Sequence, residues 1–175
     1  MDAYEALLAR RSIRRFTADD VSHEDERKLI DAAFAAPSSM NRRPWHFVVV
    51  REPGTRARLA RVHQWARLLE RAPLVIAVLG SADTLYWVED CAAATENILV
   101  AATALGLGAC WVGVWENGPQ PHPDEVVALE ILGTTPHAHR CLCLIGVGHP
   151  ADSKPPRTQF QPTKLSYEHV GRHAR

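Results

Sequence analysis

Residues 86–105 restrict the fold of this 175-residue chain more than any other segment. They form the longest helical pattern in the sequence, and alanine occupies positions 92, 93, 94, 101, 102 and 104. Small side chains let a neighbouring helix approach closely, so the segment suits either a buried helix or a surface for self-association. Gly106 and Gly108 end the pattern, and residues 109–115 then have the pattern of a strand. We therefore expect a long, closely packed helix that leads directly into a strand.

Shorter helical and strand patterns alternate along the rest of the chain. Helices are predicted at 2–9, between Ser22 and Pro37, within 55–71 as one broken or two short helices, and at 123–132. Ser22 followed by Asp25 is typical of an N-cap with an acidic first turn. Strands are predicted at 46–51, 74–79 and 142–147. The length suits a single domain covering residues 1–175.

The composition excludes several classes of function. Lysine and arginine number 20 against 20 aspartates and glutamates, so no global field attracts nucleic acid or anionic lipid. Charges interrupt the first residues, unlike a signal peptide, and no apolar run approaches the ~20 residues of a membrane span. The cysteines lack C-x-x-C spacing and lie in apolar surroundings, at Cys91, Cys110, Cys141 and Cys143. We expect a cytoplasmic protein with reduced core thiols, without metal, membrane or nucleic-acid partners.

Residues 10–16, Arg-Arg-Ser-Ile-Arg-Arg-Phe, form a basic segment in which four arginines surround one small hydroxyl. The planar guanidinium presents donors that match phosphate oxygens, and Ser12 adds a compact partner. A solvated basic patch is the structural alternative.

Residues 36–45, Ala-Pro-Ser-Ser-Met-Asn-Arg-Arg-Pro-Trp, form a polar loop after a predicted helix. Pro37 and Pro44 favour turns, so backbone N–H groups and hydroxyls can approach a polar ligand. An ordinary helix-to-strand connection is the alternative.

Residues 150–175 break the alternation, with four prolines and little periodicity. A tail of this length without regular structure is expected to be functional or disordered. Its apolar anchors favour an arm that lies across a partner subunit over a frayed terminus: Phe160, Leu165, Tyr167 and Val170. Lys154 and Arg157 flank two of these prolines.

In this order, the basic segment, the polar loop, the 86–105 helix with Asp90 and Asn97, and the Lys154-Pro-Pro-Arg157 tail resemble the FMN-binding nitroreductase family. The resemblance implies an α+β fold with a central, mostly antiparallel sheet flanked by helices. It also implies a homodimer that exchanges the extended C-terminal arm and holds two noncovalent FMN molecules at its interface. NADH or NADPH would reduce FMN, which would then reduce a small electron-poor acceptor, such as a nitroaromatic or a quinone, in a ping-pong reaction.

The resemblance also implies the roles of individual residues. The basic segment and the tail would hold the flavin phosphate and pyrimidine, the polar loop would reach the flavin of the partner subunit, and the backbone of residues 111–113 would lie beside flavin N5 and O4. Hydride transfer at N5 needs positioning rather than a protein acid or base, so no catalytic side chain is expected. The predicted cofactor-binding residues are Arg10, Arg11, Ser12, Arg14, Pro37, Ser38, Ser39, Asn41, Trp111, Val112, Gly113, Lys154 and Arg157.

Some features depart from the family, and other functions stay open. Arg43 stands where many members carry glutamine. Residues 64–69 lack the Asn and Lys pair that some larger members use on the pyrimidine, where Arg67 is the one candidate substitute. The alternatives are sister flavin chemistry on the same fold (an oxidase or dehalogenase) or a non-catalytic flavin-binding dimer. A dinucleotide loop at residues 106–113 is excluded, because the glycines follow a helix and precede a strand. A hydrolase is excluded too, since no serine lies in a G-x-S-x-G turn.

Overall fold

A four-stranded antiparallel sheet lies at the centre of the computed structural model, which describes residues 1–118, 120–156 and 159–172. The strands follow the spatial order β1-β2-β4-β3, and every neighbouring pair is antiparallel. Their bounds are Trp45–Val50 for β1, Leu74–Ser81 for β2, Gly108–Gly113 for β3 and His139–Gly148 for β4. The expected antiparallel sheet is confirmed.

Five α-helices and three short 3₁₀ helices are seen in the described part of the chain. The α-helices are α1 (Ala3–Ala9), α2 (His23–Phe34), α3 (Pro53–Leu59), α4 (Trp87–Ala104) and α5 (Pro123–Ile131). The 3₁₀ helices are Ser39–Asn41, Gln64–Glu70 and Pro162–Lys164. The predicted break within residues 55–71 is therefore confirmed, since α3 and the 3₁₀ helix Gln64–Glu70 (called the Gln64–Glu70 turn below) are separate elements.

Two hydrophobic layers cover the two faces of the sheet. Residues alternate between faces along a strand, so Ile76 and Val78 of β2 pack with α2 and α4, while Ala77 and Leu79 pack with the Gln64–Glu70 turn and α5. Because β2 and β4 lie in the middle of the sheet, both of their faces are buried, and this explains their nearly continuous apolar sequences.

The alanine-rich helix α4 packs against the sheet and α2. Ala94 and Ala102 are fully buried, and Asn97 Nδ2 donates to the carbonyl of Ala32 on α2, 3.0 Å away. Asn97 therefore has the structural role expected of a polar group on an apolar helix. Part of the surface of α4 remains accessible to solvent, at alanines 92, 93, 101 and 104. Another protein surface could therefore pack against this part of the helix.

The strand predicted at 109–115 is shorter than expected at its carboxyl end. The N–H groups of Val114 and Trp115 share a single acceptor, the carbonyl of Leu142, at 3.4 Å each. Regular pairing stops there, and the indole of Trp115 packs edge-on against Trp87, with 5.8 Å between ring centroids.

The expected caps and core thiols are present. Ser22 accepts from the N–H of Asp25 at 3.0 Å. All four cysteines are free and buried. None of the helices in the described ranges is both long and apolar enough to span a bilayer.

An ion pair with a fully buried carboxylate joins α5 to β4. Glu125 is fully buried and accepts from Arg140 Nε at 2.7 Å, from Arg140 Nη2 at 2.9 Å and from the N–H of Cys141 at 2.9 Å. The guanidinium of Arg140 also lies 5.7 Å from the ring centre of Trp87. The three donors compensate a carboxylate that would otherwise be costly to bury.

Candidate functional site

The basic segment is held against the first residues of β3. Ser12 forms a parallel bridge with Ala109, whose carbonyl accepts from the N–H of Ile13 at 3.0 Å. The Ile13 side chain is 8% exposed and packs over Gly108, where a Cβ would lie only 2.7 Å from it. In extended backbone, neighbouring side chains point to opposite sides, so burial of Ile13 turns Ser12 and Arg14 outward.

The outward side chains of this segment line a cationic cleft of about 570 Å³ between α1 and the tail. Its lining is Leu7, Leu8, Arg10, Arg11, Ser12, Arg14, Lys154, Gln159 and Phe160. The structure thus brings together five residues predicted to bind the cofactor phosphate. Arg157, the remaining predicted contact, lies outside the described residues.

Three of the cations in this cleft already have partners in the protein. Arg10 Nε lies 3.1 Å from Glu96 Oε1, Arg11 donates to the carbonyl of Pro155, and Lys154 Nζ donates to the carbonyl of Ser12 at 2.6 Å. These contacts tie the basic segment to α4 and to the tail.

Arg14 is the exception among the cations of the cleft, since its guanidinium has no hydrogen-bond or ion-pair partner among the described residues. It also lines a second cleft of about 360 Å³. Burial raises the pKa of the neighbouring Cys110 thiol, and the positive charge of Arg14 opposes that rise. Lys154 and Arg10 oppose the rise in this pKa as well, so the charges of the cationic cleft act together on the thiol.

The second cleft runs along β3 towards the Gln64–Glu70 turn. Its lining is Arg14, His63, Gln64, Trp65, Leu68, Cys110, Trp111, Val112 and Gly113. The Val112 side chain is buried in the core on one face of the sheet, so the backbone of this residue, rather than its side chain, suits the predicted ligand contact.

His63 fixes the end of β3, a role that the sequence did not predict. Its Nδ1 accepts from the N–H of Trp65 at 3.2 Å, and its Nε2 lies 2.9 Å from the carbonyl of Gly113. Because Nδ1 accepts, Nε2 carries the proton of the neutral ring and donates to Gly113. An isolated histidine between two helical patterns gave no signal for this contact.

The polar loop has unusual backbone geometry. Met40, Asn41 and Arg43 all have positive φ, between 50° and 54°, which is uncommon for residues other than glycine and concentrates at functional sites. Ser38 Oγ accepts from the N–H of Arg43 at 2.9 Å, and Asn41 Oδ1 accepts from Arg43 Nε at 2.8 Å. Arg43 thus supports the loop from within, and among the residues that the structure describes the Asn41 Nδ2 group has no hydrogen-bond partner.

Asp90 anchors the loop on α4. Its carboxylate is 5% exposed, and Oδ1 accepts from the N–H of Ser39 at 2.8 Å. Among the described residues, Oδ2 has no hydrogen-bond partner. With Pro37 and Ser38, Asp90 lines a separate cleft of about 380 Å³.

The basic segment and the polar loop do not meet within one chain. Their clefts share no lining residue. The segment is tied to α4 through Glu96, whereas the loop is tied to it through Asp90. Six residues correspond to about 9 Å along a helix axis. The structure therefore assembles the predicted residues into two groups that line separate clefts.

Comparisons with known proteins identify the family of this chain. The sequence model of the Nitroreductase family matches residues 7–66 and 61–149, and the chain belongs to this family. A protein of Methanothermobacter thermautotrophicus, provisionally named an NADH dehydrogenase/NAD(P)H nitroreductase, is 37% identical over 172 residues, which are 96% of this chain and 87% of that protein.

Solved structures agree on the fold. An FMN-dependent nitroreductase of Clostridium difficile has a TM-score of 0.87 and 27% identity, with 94% of this chain and 98% of that chain covered. A protein of Desulfovibrio desulfuricans, provisionally named a nitroreductase and solved in complex with FMN, has a TM-score of 0.79 and 30% identity over 91% of this chain and 93% of that chain.

Proposed function

We propose that the protein is an FMN-dependent oxidoreductase, in which NADH or NADPH reduces FMN and the reduced flavin then reduces a small electron-poor acceptor. The observation that carries this proposal is the pair of adjoining clefts that share Arg14 in a chain of the nitroreductase family. One cleft is cationic and the other follows the strand β3, which suits a ligand with a phosphate at one end and a flat polar ring at the other.

The residues present fit FMN. Arg10, Arg11, Ser12 and Lys154 would hold the phosphate, because a phosphate dianion forms strong charge-assisted hydrogen bonds with such groups. The backbone of Trp111, Val112 and Gly113 would lie along the ring. Arg14, at the junction of the two clefts, would face the pyrimidine side. Arg157 would add a phosphate contact from the tail.

Bound FMN would supply two-electron chemistry, accepting a hydride and passing electrons to the acceptor. The chain itself would bind and orient the rings and place positive charge near the pyrimidine. His63 would keep the end of β3 in position through its contact with the Gly113 carbonyl. No side chain needs to act as an acid or a base. The proposal includes a ping-pong order, which the resemblance to the family implies.

We also propose that the active form is a homodimer. Apolar side chains are exposed on α1, at Tyr4, Leu7 and Leu8, and on the tail, at Phe160, Tyr167 and Val170. Exposed apolar groups concentrated in this way favour a partner. Ser38, Ser39 and Asn41 would then contact the flavin of the partner subunit, and this accounts for their separation from the basic segment. Each subunit would be a single domain, residues 1–175, with residues 150–175 as an exchanged arm.

The buried free cysteines favour a reducing compartment. We therefore propose a cytoplasmic location.

The cofactor assignment is tested by reconstituting the apoprotein with FMN or with riboflavin. At least two charge-assisted bonds to the phosphate should give FMN about 100-fold tighter binding. Lys154→Met should weaken binding of FMN about 10-fold and leave riboflavin unchanged, whereas Lys28→Met on α2 should change neither. Equal affinities for FMN and riboflavin would remove the phosphate assignment.

The reaction is tested by adding NADH and NADPH separately to the flavin-loaded protein without oxygen. Loss of the oxidised flavin spectrum, and its return on addition of a quinone or nitroaromatic, is expected. A flavin that neither nicotinamide reduces would favour the non-catalytic binding dimer.

The dimer is tested by mixing two impaired variants, Lys154→Met with Arg14→Ala in one chain and Ser39→Ala with Asn41→Ala in the other. If the loop acts across the interface, exchange of subunits should restore about a quarter of the sites, because half of the dimers are mixed and each contains one intact site. No restoration after proven exchange would place the loop on the flavin of its own chain.

A further inference from the structure

Trp65 is an unusually exposed tryptophan, with 76% of its surface open to solvent. Trp45 and Trp87, in contrast, are less than one tenth exposed. A large aromatic ring gains much from contact, so tryptophan is enriched where one protein surface meets another molecule. The question is which molecule the Trp65 ring meets.

Trp65 lines two clefts, and their positions indicate which molecule its ring contacts. One is the ring-side cleft with Arg14, Trp111 and Gly113. The other, of about 340 Å³, lies beyond Gly113 and is lined by His63, Gln64, Trp65, Gly113, Val114, Trp115, Glu116, His122 and Asp124. Trp65 therefore stands between the proposed flavin site and an adjoining space that the cofactor does not need.

The backbone of Trp65 is held in register with β3. Its N–H donates to His63 Nδ1 at 3.2 Å, and the opposite nitrogen of the same ring lies 2.9 Å from the Gly113 carbonyl. One histidine thus connects the base of the exposed indole to the strand end proposed to lie beside the reactive edge of the flavin. The backbone of Trp65 is thus held in place while its indole stays accessible to a ring that enters either cleft.

We propose that Trp65 is a specificity-determining residue, whose indole stacks on the electron-poor aromatic ring of the acceptor and holds it at the flavin. The inference rests on the proposed function and deepens it, because it assigns the selection of flat aromatic acceptors at this site to one side chain. Stacking between an electron-rich indole and an electron-poor ring is favourable in an offset geometry. The adjoining cleft gives room for the substituents of that ring.

The experiment compares Trp65→Leu, which removes the ring, and Trp65→Phe, which keeps an aromatic face, with the control Phe34→Leu. Phe34 is an exposed aromatic on α2, away from both clefts. The acceptors are para-dinitrobenzene, which can stack, and ferricyanide, which cannot. Trp65→Leu should raise the KM for para-dinitrobenzene about 3- to 10-fold, while Trp65→Phe recovers most of the loss. The ferricyanide KM and the rate of flavin reduction by NADH should not change.

A direct readout does not need turnover. In protein labelled with fluorotryptophan, the Trp65 signal, identified by its absence in Trp65→Phe, should shift on titration of the oxidised flavoprotein with para-dinitrobenzene. The Phe34→Leu protein should show the same shift.

Three results would overturn the proposal. The first is an unchanged KM for para-dinitrobenzene in Trp65→Leu, and the second is an equal rise in the KM for ferricyanide. The third is a decrease only in the rate of flavin reduction by NADH, which would assign the ring to nicotinamide binding. A fluorine signal that responds to protein concentration and not to para-dinitrobenzene would assign Trp65 to the subunit interface. The proposed function is tested separately: it fails if neither nicotinamide reduces the flavin in the unmodified protein. The fluorine titration does not depend on that reduction and still tests the stacking.

Discussion

Replacing Arg14 with alanine should lower the reduction potential of bound FMN. Two-electron reduction places negative charge on the pyrimidine side of the flavin, and a nearby guanidinium stabilises that charge. Arg14 is suited to this task because it lines both clefts and has no partner among the described residues. Arg10, Arg11 and Lys154, in contrast, are already engaged with protein atoms.

The size of the effect follows from Coulomb's law. At a separation of about 6 Å and an effective dielectric constant of about 20, two unit charges interact by about 2.8 kcal/mol. Arg14 is exposed, so solvent screening reduces this to somewhere between about 1.4 and 2.8 kcal/mol. For a two-electron couple, 1.4 kcal/mol corresponds to about 30 mV. Arg14→Ala should therefore lower the midpoint potential by about 30 to 60 mV.

The assay is a spectroelectrochemical titration at saturating FMN, with Arg15→Ala as the matched control. Arg15 is the next residue, is exposed and lines neither cleft, so its removal tests the general loss of one positive charge. Flavin reduction by NADH should also slow in Arg14→Ala. An unchanged potential with weakened FMN binding would move Arg14 from the ring to the phosphate, and an equal shift in Arg15→Ala would refute the local argument.

Three further changes test the fold around the site. Arg140→Met leaves its buried carboxylate partner uncompensated, so the free energy of unfolding in urea should fall by about 3–5 kcal/mol. Gly108→Ala places a Cβ 2.7 Å from the side chain that anchors the basic segment, so FMN affinity should fall along with about 1–3 kcal/mol of stability. Burial lowers the pKa of His139, and the nearby His46 lowers it further. As the pH falls, the unfolded chain therefore binds a proton at this residue before the folded chain does. The contribution of neutral His139 to the free energy of unfolding should be fully present above pH ~6.5 and should decline below it.

Each of these changes has its own control. Arg27→Met breaks an exposed pair on α2 and should cost less than about 1 kcal/mol; an equal cost for Arg140→Met would contradict the burial argument. Gly118→Ala meets nothing closer than 3.6 Å and should leave FMN binding intact, whereas unchanged binding in Gly108→Ala would contradict the anchoring role. The decline in acid should shrink in His139→Gln, and a decline of the same size would assign it to other groups.

The secondary structure was largely predictable because most of it depends on local pattern. The N-cap at Ser22, the long helix and the buried central strands follow from signals within a few residues of each element. The end of β3 was not predictable, since it depends on two N–H groups that share the Leu142 carbonyl. That contact joins segments almost thirty positions apart along the sequence, as the residue numbers of Val114 and Leu142 show.

The grouping of the candidate site residues was predictable only where they follow one another along the chain. In the run Ser12-Ile13-Arg14, the apolar residue turns inward, and its neighbours must then face the cleft. His63 and Trp65 carry no comparable pattern, because their roles depend on the distant carbonyl of Gly113. The loop residues form an intermediate case: their composition predicts ligand contact, while the tertiary structure sends them to another cleft. The proposed site between two subunits would reconcile both observations, because the loop would then contact the flavin of the partner chain.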